Sequence, residues 1–298
     1  MNASNIFVKD VIPVSEKNYR AELVGVFGDP VDGNPTCVLE EAGFAAAGLN
    51  WRYLTCRVAV EDLADAMRGM RALGMRGVNL TMPHKIEVIQ YLDELSEAAR
   101  IIGAVNTVIE RDGRLIGENT DGKGFVRSLT DEGIALTGKT VTILGAGGAA
   151  KAIGVECALA GAKKLNIINR NAARGEELAK TIQENTDAQA AYLPWQGTAS
   201  IPEGTDILIN ATCAGLHPDV DQCPDICYED IAPGMVVCDV VFNPAMPLFL
   251  RKAESQGARI ITGLGMLVNQ GALNFELWTG EKAPRDVMFA ALKKEFED

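Results

Sequence analysis

Residues 140–162, TVTILGAGGAAKAIGVECALAGA, restrict the fold more than any other stretch of the chain. An apolar run (Val141, Ile143, Leu144) ends in Gly145-Ala146-Gly147-Gly148-Ala149-Ala150, and helical spacing follows from Lys151 to about Ala160, closed by Gly161. Strand, glycine turn and helix in that order form the phosphate cradle of a dinucleotide-binding unit. Gly145 allows the tight turn, Gly147 lets the backbone approach a pyrophosphate, and Ala150 keeps the helix close to the strand. The helix N-terminus adds free N–H groups and partial positive charge. Such turns also occur as plain packing, so the weight rests on the flanking strand and helix.

Regular alternation surrounds this unit. Strands are predicted at 141–144, 165–169, 207–210, 235–241 and 259–262, with helices at 149–160, 174–184 and 248–256. Alternation of this length means a doubly wound parallel sheet. The block before it mixes elements: strands at 22–27, 51–58 and 77–82, helices at 37–47 and 60–73, and further helix over 84–100. A hairpin is predicted for 105–109 and 114–116 across Asp112-Gly113, and a helix from Asn119 to Glu132. Closing helices at 270–278 and 286–296 should pack back on this first block. The expected class is α/β. An N-terminal α/β substrate-binding domain (1–120, completed by 268–298) joins a Rossmann-type dinucleotide-binding domain (121–267). Residues 1–20 read as a polar, aperiodic arm.

At 298 residues two such domains are comfortable. The net charge of −12 argues against nucleic acid as a partner, since phosphate backbones want a basic face. The first twenty residues carry no secretory apolar core, and no run approaches the roughly 20 apolar residues that span a bilayer. The seven cysteines are scattered, and Cys223 and Cys227, the nearest pair, have no second pair beside them. Free thiols in a reducing cytoplasm, without a metal site, are the expectation.

The second strand of the parallel sheet ends in Asn169-Arg170-Asn171, with Arg174 one helical turn on. NAD-binding units place a carboxylate near this tip for the ribose hydroxyls. Guanidinium groups there clamp a 2′-phosphate instead, so NADP is expected over NAD.

Six ordered stretches carry chemistry rather than scaffolding: Asn79-Leu-Thr81-Met-Pro-His-Lys85, Gly103-Ala-Val-Asn106-Thr107, Asn119-Thr-Asp121-Gly122, the glycine turn, Asn210-Ala-Thr212-Cys-Ala-Gly215, and Gly263-Leu-Gly-Met-Leu-Val-Asn-Gln270-Gly-Ala272. Together they resemble the shikimate dehydrogenase family over nearly the whole chain from Glu22. The resemblance implies an NADP- or NAD-linked oxidoreductase interconverting a hydroxyl and a ketone on a cyclic hydroxy acid such as shikimate or quinate. It implies Lys85 and Asp121 as the catalytic pair, and a substrate cleft between the domains. Chemistry agrees: an ammonium beside a carbonyl can donate the proton and stabilise the charge that hydride transfer develops. A neighbouring carboxylate favours the ammonium form.

By the same resemblance Thr81, Asn106 and Gln270 bond the substrate. Gly145, Ala146, Gly147, Gly148 and Ala149 hold the pyrophosphate, with Thr212 alongside. Asn169, Arg170 and Arg174 hold the adenosine phosphate, while Val240 and Gly263 line the nicotinamide side. His84, beside Lys85, lacks any partner pattern and is not expected to be catalytic. A homodimer is the expected assembly.

The substrate edge departs from the family. Asn34 and Thr36 stand where two serine hydroxyls usually receive the substrate carboxylate, and Phe242 replaces a tyrosine. A site built to bond a group rejects analogues strongly when its own polar atoms go unpaired. Shikimate is therefore expected to be a secondary substrate, with quinate or another hydroxylated ring preferred. The competing readings are another two-domain NADP dehydrogenase, of the methylene-tetrahydrofolate type, and a non-catalytic NADPH sensor.

Overall fold

The computed structural model describes residues 18–296, so most of the expected N-terminal arm lies outside the described residues. The first block runs β1 (Glu22–Gly28), α1 (Thr36–Ala46), β2 (Trp51–Arg57), α2 (Leu63–Ala72), β3 (Gly77–Leu80), α3 (His84–Glu87), β4 (Glu94–Leu95), α4 (Glu97–Ile102), β5 (Thr107–Arg111), β6 (Arg114–Glu118) and α5 (Thr120–Asp131). The second runs β7 (Thr140–Leu144), α6 (Gly148–Leu159), β8 (Lys164–Asn169), α7 (Ala172–Asn185), β9 (Gln189–Pro194), β10 (Ile207–Asn210), β11 (Val236–Asp239), α8 (Leu248–Ser255) and β12 (Arg259–Ile261). Helices α9 (Gly263–Thr279) and α10 (Arg285–Glu295) close the chain.

Each block builds one sheet. The first, ordered β2-β1-β3-β5-β6-β4, is mixed. β1 pairs parallel with β2 from Glu22↔Trp51 to Gly28↔Arg57, while β3–β5 and β5–β6 are antiparallel. The predicted hairpin forms, and both its turn residues take left-handed φ (Asp112 54°, Gly113 80°), as a two-residue turn between twisted strands requires. The further helix expected over 84–100 is present only in pieces. The chain breaks there into α3, a 3-10 turn, β4 and α4, and Ser96 caps α4 by accepting the Ala99 N–H at 3.1 Å.

The second sheet, β12-β11-β10-β7-β8-β9, is parallel throughout. Its order reverses beside β7, and the crevice at that switch point is where such sheets take ligands. β9 was not expected, because its Ala-rich QAAYLP carries little strand signature. Helix α9 starts seven residues before the predicted 270, at Gly263. There the glycines serve close approach rather than a turn: a Cβ on Gly263 would lie 2.5 Å from the Val241 carbonyl oxygen.

The cores follow the same division, with crossings at α4, α5 and the closing helices; Ala98 and Ile102 of α4 lie in the core beneath the second sheet. Phe125 and Leu129 of α5 join the core beneath the second sheet, with Val141, Ile153 and Leu165. Val268, Ala272 and Phe275 of α9 and Met288 and Leu292 of α10 join Val24, Leu39 and Phe44 beneath the first. The Phe44 and Phe275 rings stack at 5.5 Å. Among the described residues no helix is long and apolar enough to cross a membrane.

Candidate active site

Three cavities follow one another along the carboxyl ends of the strands. The first, of about 290 Å³, brings together Asn34, Thr36, Thr81, Lys85, Asn106, Asp121, Phe242 and Gln270 with Ala149, Val240 and Gly263. Every residue expected at the substrate or in the catalytic pair therefore lines one cleft. Three residues expected on the cofactor side share its wall.

Lys85, on the single turn α3, donates to Asp121 Oδ2 at 2.7 Å, and both side chains are partly buried. Asp121 is held from its other oxygen by Asn106 Nδ2 at 2.8 Å. An ammonium has three N–H donors, so two of those on Lys85 remain for the cleft. Asn106 is more committed than expected. Its amide also donates to Thr120 Oγ1 at 2.9 Å, and its oxygen accepts the Thr120 N–H at 2.7 Å. Its clearest task is thus to hold Asp121 at the start of α5. Gln270 accepts from Asn274 Nδ2 at 3.1 Å and donates one N–H to the Leu267 carbonyl at 3.1 Å. His84 is buried with Nε2 2.7 Å from the Val58 carbonyl oxygen, a structural role.

The departures from the family pattern are visible in the geometry. Asn34 Oδ1 accepts the Thr36 N–H at 3.0 Å at the start of α1, which leaves the Asn34 NH₂ as the group it can offer. Phe242 lines the same wall without a phenolic donor. Asn79 was part of a motif without an assigned role. It is buried, donates to the Asn106 carbonyl and Thr107 Oγ1 at 3.1 Å each, and accepts from Tyr53 Oη at 2.7 Å. Tyr53, Thr107, Thr120 and Asn274 extend this buried network, and no local pattern marks residues so far apart in sequence.

The second cavity, of about 360 Å³, is lined by Ala146, Gly147, Gly148, Lys151 and Arg174. Gly145 has φ +110°, which calls for glycine. A Cβ on Gly147 or Gly148 would meet nothing within 4 Å, so the backbone at the mouth of α6 is open to a ligand. Lys151, absent from the sequence expectation as a ligand group, adds an ammonium 3.8 Å from Glu177. The third cavity, of about 370 Å³, holds Arg170, Thr212 and Trp195, with the Arg170 guanidinium 5.7 Å over the Trp195 ring. Asn169 stands apart, its amide donating to the Asn171 carbonyl at 2.8 Å. Open glycine backbone, a helix N-terminus and two guanidinium groups fit a phosphorylated dinucleotide. A larger cavity, about 550 Å³ between α5, β12, α9 and α10, contains none of the expected site residues.

The Asp239 carboxyl, at the end of β11, is pushed up to about 7 by burial. It accepts from Asn210 Nδ2 at 3.0 Å and from the Val241 N–H at 2.9 Å, which fixes the turn carrying Val240.

Known proteins share this arrangement. Family models described as the shikimate dehydrogenase substrate binding domain, shikimate / quinate 5-dehydrogenase, and the shikimate 5′-dehydrogenase C-terminal domain match residues 26–108, 128–218 and 263–293. Shikimate dehydrogenase (NADP(+)) of Desulforamulus reducens is 44% identical over 281 residues, 93% of this chain and 97% of that protein. The ligand-free crystal structure of 5-ketofructose reductase from Gluconobacter sp. strain CHM43 is 46% identical, with a TM-score of 0.91 over 94% of this chain and 100% of that one. Shikimate 5-dehydrogenase from Listeria monocytogenes, solved with shikimate and NAD, is 36% identical, with a TM-score of 0.87 over 93% and 98%. With three of its family models matched along the sequence and a relative 44% identical over 93% of its length, the chain belongs to the shikimate dehydrogenase family.

Proposed function

We propose that the chain is an NADP(H)-dependent oxidoreductase that interconverts a hydroxyl and a ketone on a shikimate-like polyhydroxylated ring compound, with Lys85 and Asp121 as its acid–base pair. The observation that carries this reading is the 2.7 Å Lys85–Asp121 ion pair in the cleft that Val240 and Gly263 also line. When bound, the nicotinamide supplies or accepts the hydride. Lys85 donates a proton from Nζ to the carbonyl oxygen during reduction and takes it back during oxidation. Asp121 steadies the ammonium, and Asn106 keeps Asp121 in place. Thr81, Gln270 and the Asn34 amide orient the substrate. The backbone of 145–149 and the Thr212 wall seat the pyrophosphate, while Asn169, Arg170 and Arg174 select the 2′-phosphate. Residues 1–120 with 268–298 act as the substrate domain and 121–267 as the cofactor domain. The free thiols accord with a cytoplasmic location. A homodimer is proposed as well, to be read by sedimentation.

A second reading concerns the substrate. Lys85 is the one cation among the described residues lining the cleft, and it is already paired with Asp121. Asn34 and Phe242 replace groups suited to a carboxylate, and a relative 46% identical is named 5-ketofructose reductase. A neutral polyhydroxy ketone is thus favoured over a ring acid. Steady-state kinetics on shikimate, quinate and 5-ketofructose with NADP(H) and NAD(H) decide both points. Turnover of at least one compound with NADP(H) is expected. The highest kcat/KM on shikimate would remove the second reading, and no turnover of any would remove the first.

A further inference from the structure

Lys151 lies in the first turn of α6, just past the glycine turn. Its side chain is 28% exposed, yet its ammonium makes no hydrogen bond to any described residue. Lys85 and Lys123 are less buried, at 33% and 38%, and each donates to a carboxylate at 2.7 and 2.6 Å. The nearest carboxylate to Lys151 is Glu177 of α7, 3.8 Å away and 69% exposed. That separation is beyond hydrogen-bond reach, and so exposed a pair is worth little. An ammonium carries three N–H donors, and the protein uses none of those on Lys151.

The cavity that Lys151 lines suits an anion. Gly147 and Gly148 give it bare backbone, with nothing within 4 Å of where a Cβ would stand. Arg174 adds a guanidinium that has no partner among the described residues. Glu177 is the one carboxylate in that wall, so cations outnumber anions there, in a chain whose net charge is −12. Position separates the cations. Helical side chains lean toward the start of their own helix, which brings the Lys151 ammonium back toward the mouth of α6. Across the cavity stands Gly103 of the first block, where a Cβ would lie 3.8 Å from the Lys151 ammonium. Arg170 and Arg174 instead follow the tip of β8, at the entry to α7.

We propose that Lys151 is a further cofactor-binding residue, which leaves Glu177 to take the diphosphate of the dinucleotide at the mouth of α6. This rests on the cavity being the cofactor site of the proposed reaction. Glu177 is then a weak competitor for the same ammonium, and it lowers the affinity for the cofactor. The 2′-phosphate stays with Arg170 and Arg174.

The test measures binding rather than turnover. The full chain is titrated with NADPH, followed by its fluorescence, and with 2′-AMP, followed by calorimetry. The second probe carries a 2′-phosphate and no diphosphate. Lys151→Met should weaken NADPH about tenfold and leave 2′-AMP within about twofold of wild type. Added salt should narrow the NADPH difference. Lys151→Arg, which keeps the charge, should stay within about threefold of wild type for NADPH. Glu177→Gln should bind NADPH about two- to threefold more tightly, because the competing carboxylate is gone. Should Met disturb α6, Lys151→Gln, polar and uncharged, gives the same comparison. An equal loss for NADPH and 2′-AMP would assign the ammonium to the 2′-phosphate and overturn the proposal. Unchanged NADPH binding by Lys151→Met overturns it too, and a Glu177→Gln chain that binds no tighter overturns the competition. If wild type binds no NADPH, the proposed reaction falls and this inference with it.

Discussion

The two halves of the cleft are built by opposite means. The nucleotide side is made from consecutive residues and largely from backbone: Gly145 at φ +110°, then open glycines at the mouth of α6. The proposed substrate side is assembled from side chains at 34, 36, 81, 85, 106, 121, 242 and 270, which line one cavity and come from both blocks. Backbone cradles recognise a phosphate whatever the rest of the molecule does, whereas a side-chain wall changes its selectivity with one or two substitutions. Relatives of similar identity are named for shikimate and for 5-ketofructose.

The widest separation between the halves should come from Lys85→Met. Loss of the proton donor is expected to lower kcat by about 10²–10⁴-fold while NADPH binding, followed by fluorescence titration, stays as in wild type. A parallel loss of NADPH binding would show that the halves are not independent. Arg170→Ala combined with Arg174→Ala works from the other side. It should raise KM for NADP(H) by about 10–100-fold and leave NAD(H) kinetics nearly unchanged, if these guanidinium groups bind the 2′-phosphate as proposed. Within the substrate wall, Asn34→Ser with Phe242→Tyr should raise kcat/KM for shikimate by about tenfold by supplying hydroxyl donors. An unchanged value would place ring-acid selectivity elsewhere.

The smallest expected effect lies where the blocks meet. Glu156 of α6 packs beside Gly122 of α5, and its carboxyl, pushed up to about 7 by burial, has one oxygen without a partner. The folded state thus keeps this proton to higher pH than the unfolded chain, whose carboxyl titrates near 4.5. The stability it confers is present in full below about pH 4.5 and lost as pH rises to about 7. Glu156→Gln should match the wild-type melting temperature at pH 4.5 and exceed it by a few degrees at pH 8, read by differential scanning calorimetry.

Legibility in the sequence followed the same divide. The glycine turn, the parallel strands around it and the Asp112-Gly113 hairpin were readable because each depends on neighbours in sequence. The stretch 84–100 was not, because tertiary contacts broke its helical spacing: α3 places Lys85 against Asp121, thirty-six positions on. Composition also hid β9, and the helix expected from 270 already begins at Gly263. Spacing and resemblance brought Lys85, Asp121 and Gln270 to the site. Neither could reveal that the side chain of Asn106 is mostly spent on Asp121 and Thr120, or that Asn79 and Tyr53 lie behind the wall.

Helix α9 meets both walls of the cleft. Its first residue abuts the carbonyls of Val240 and Val241, while Gln270, two turns on, faces the substrate cleft. Gly124 of α5, one turn after Asp121, comes close enough that a Cβ there would lie 2.7 Å from the Gln270 nitrogen. The pair thus works like a jig. In the proposed reaction the spacing between Val240, Lys85 and Gln270 is set by two rods clamped at a glycine, so substitutions in the surrounding loops can retune what is admitted without moving the tooling that does the work.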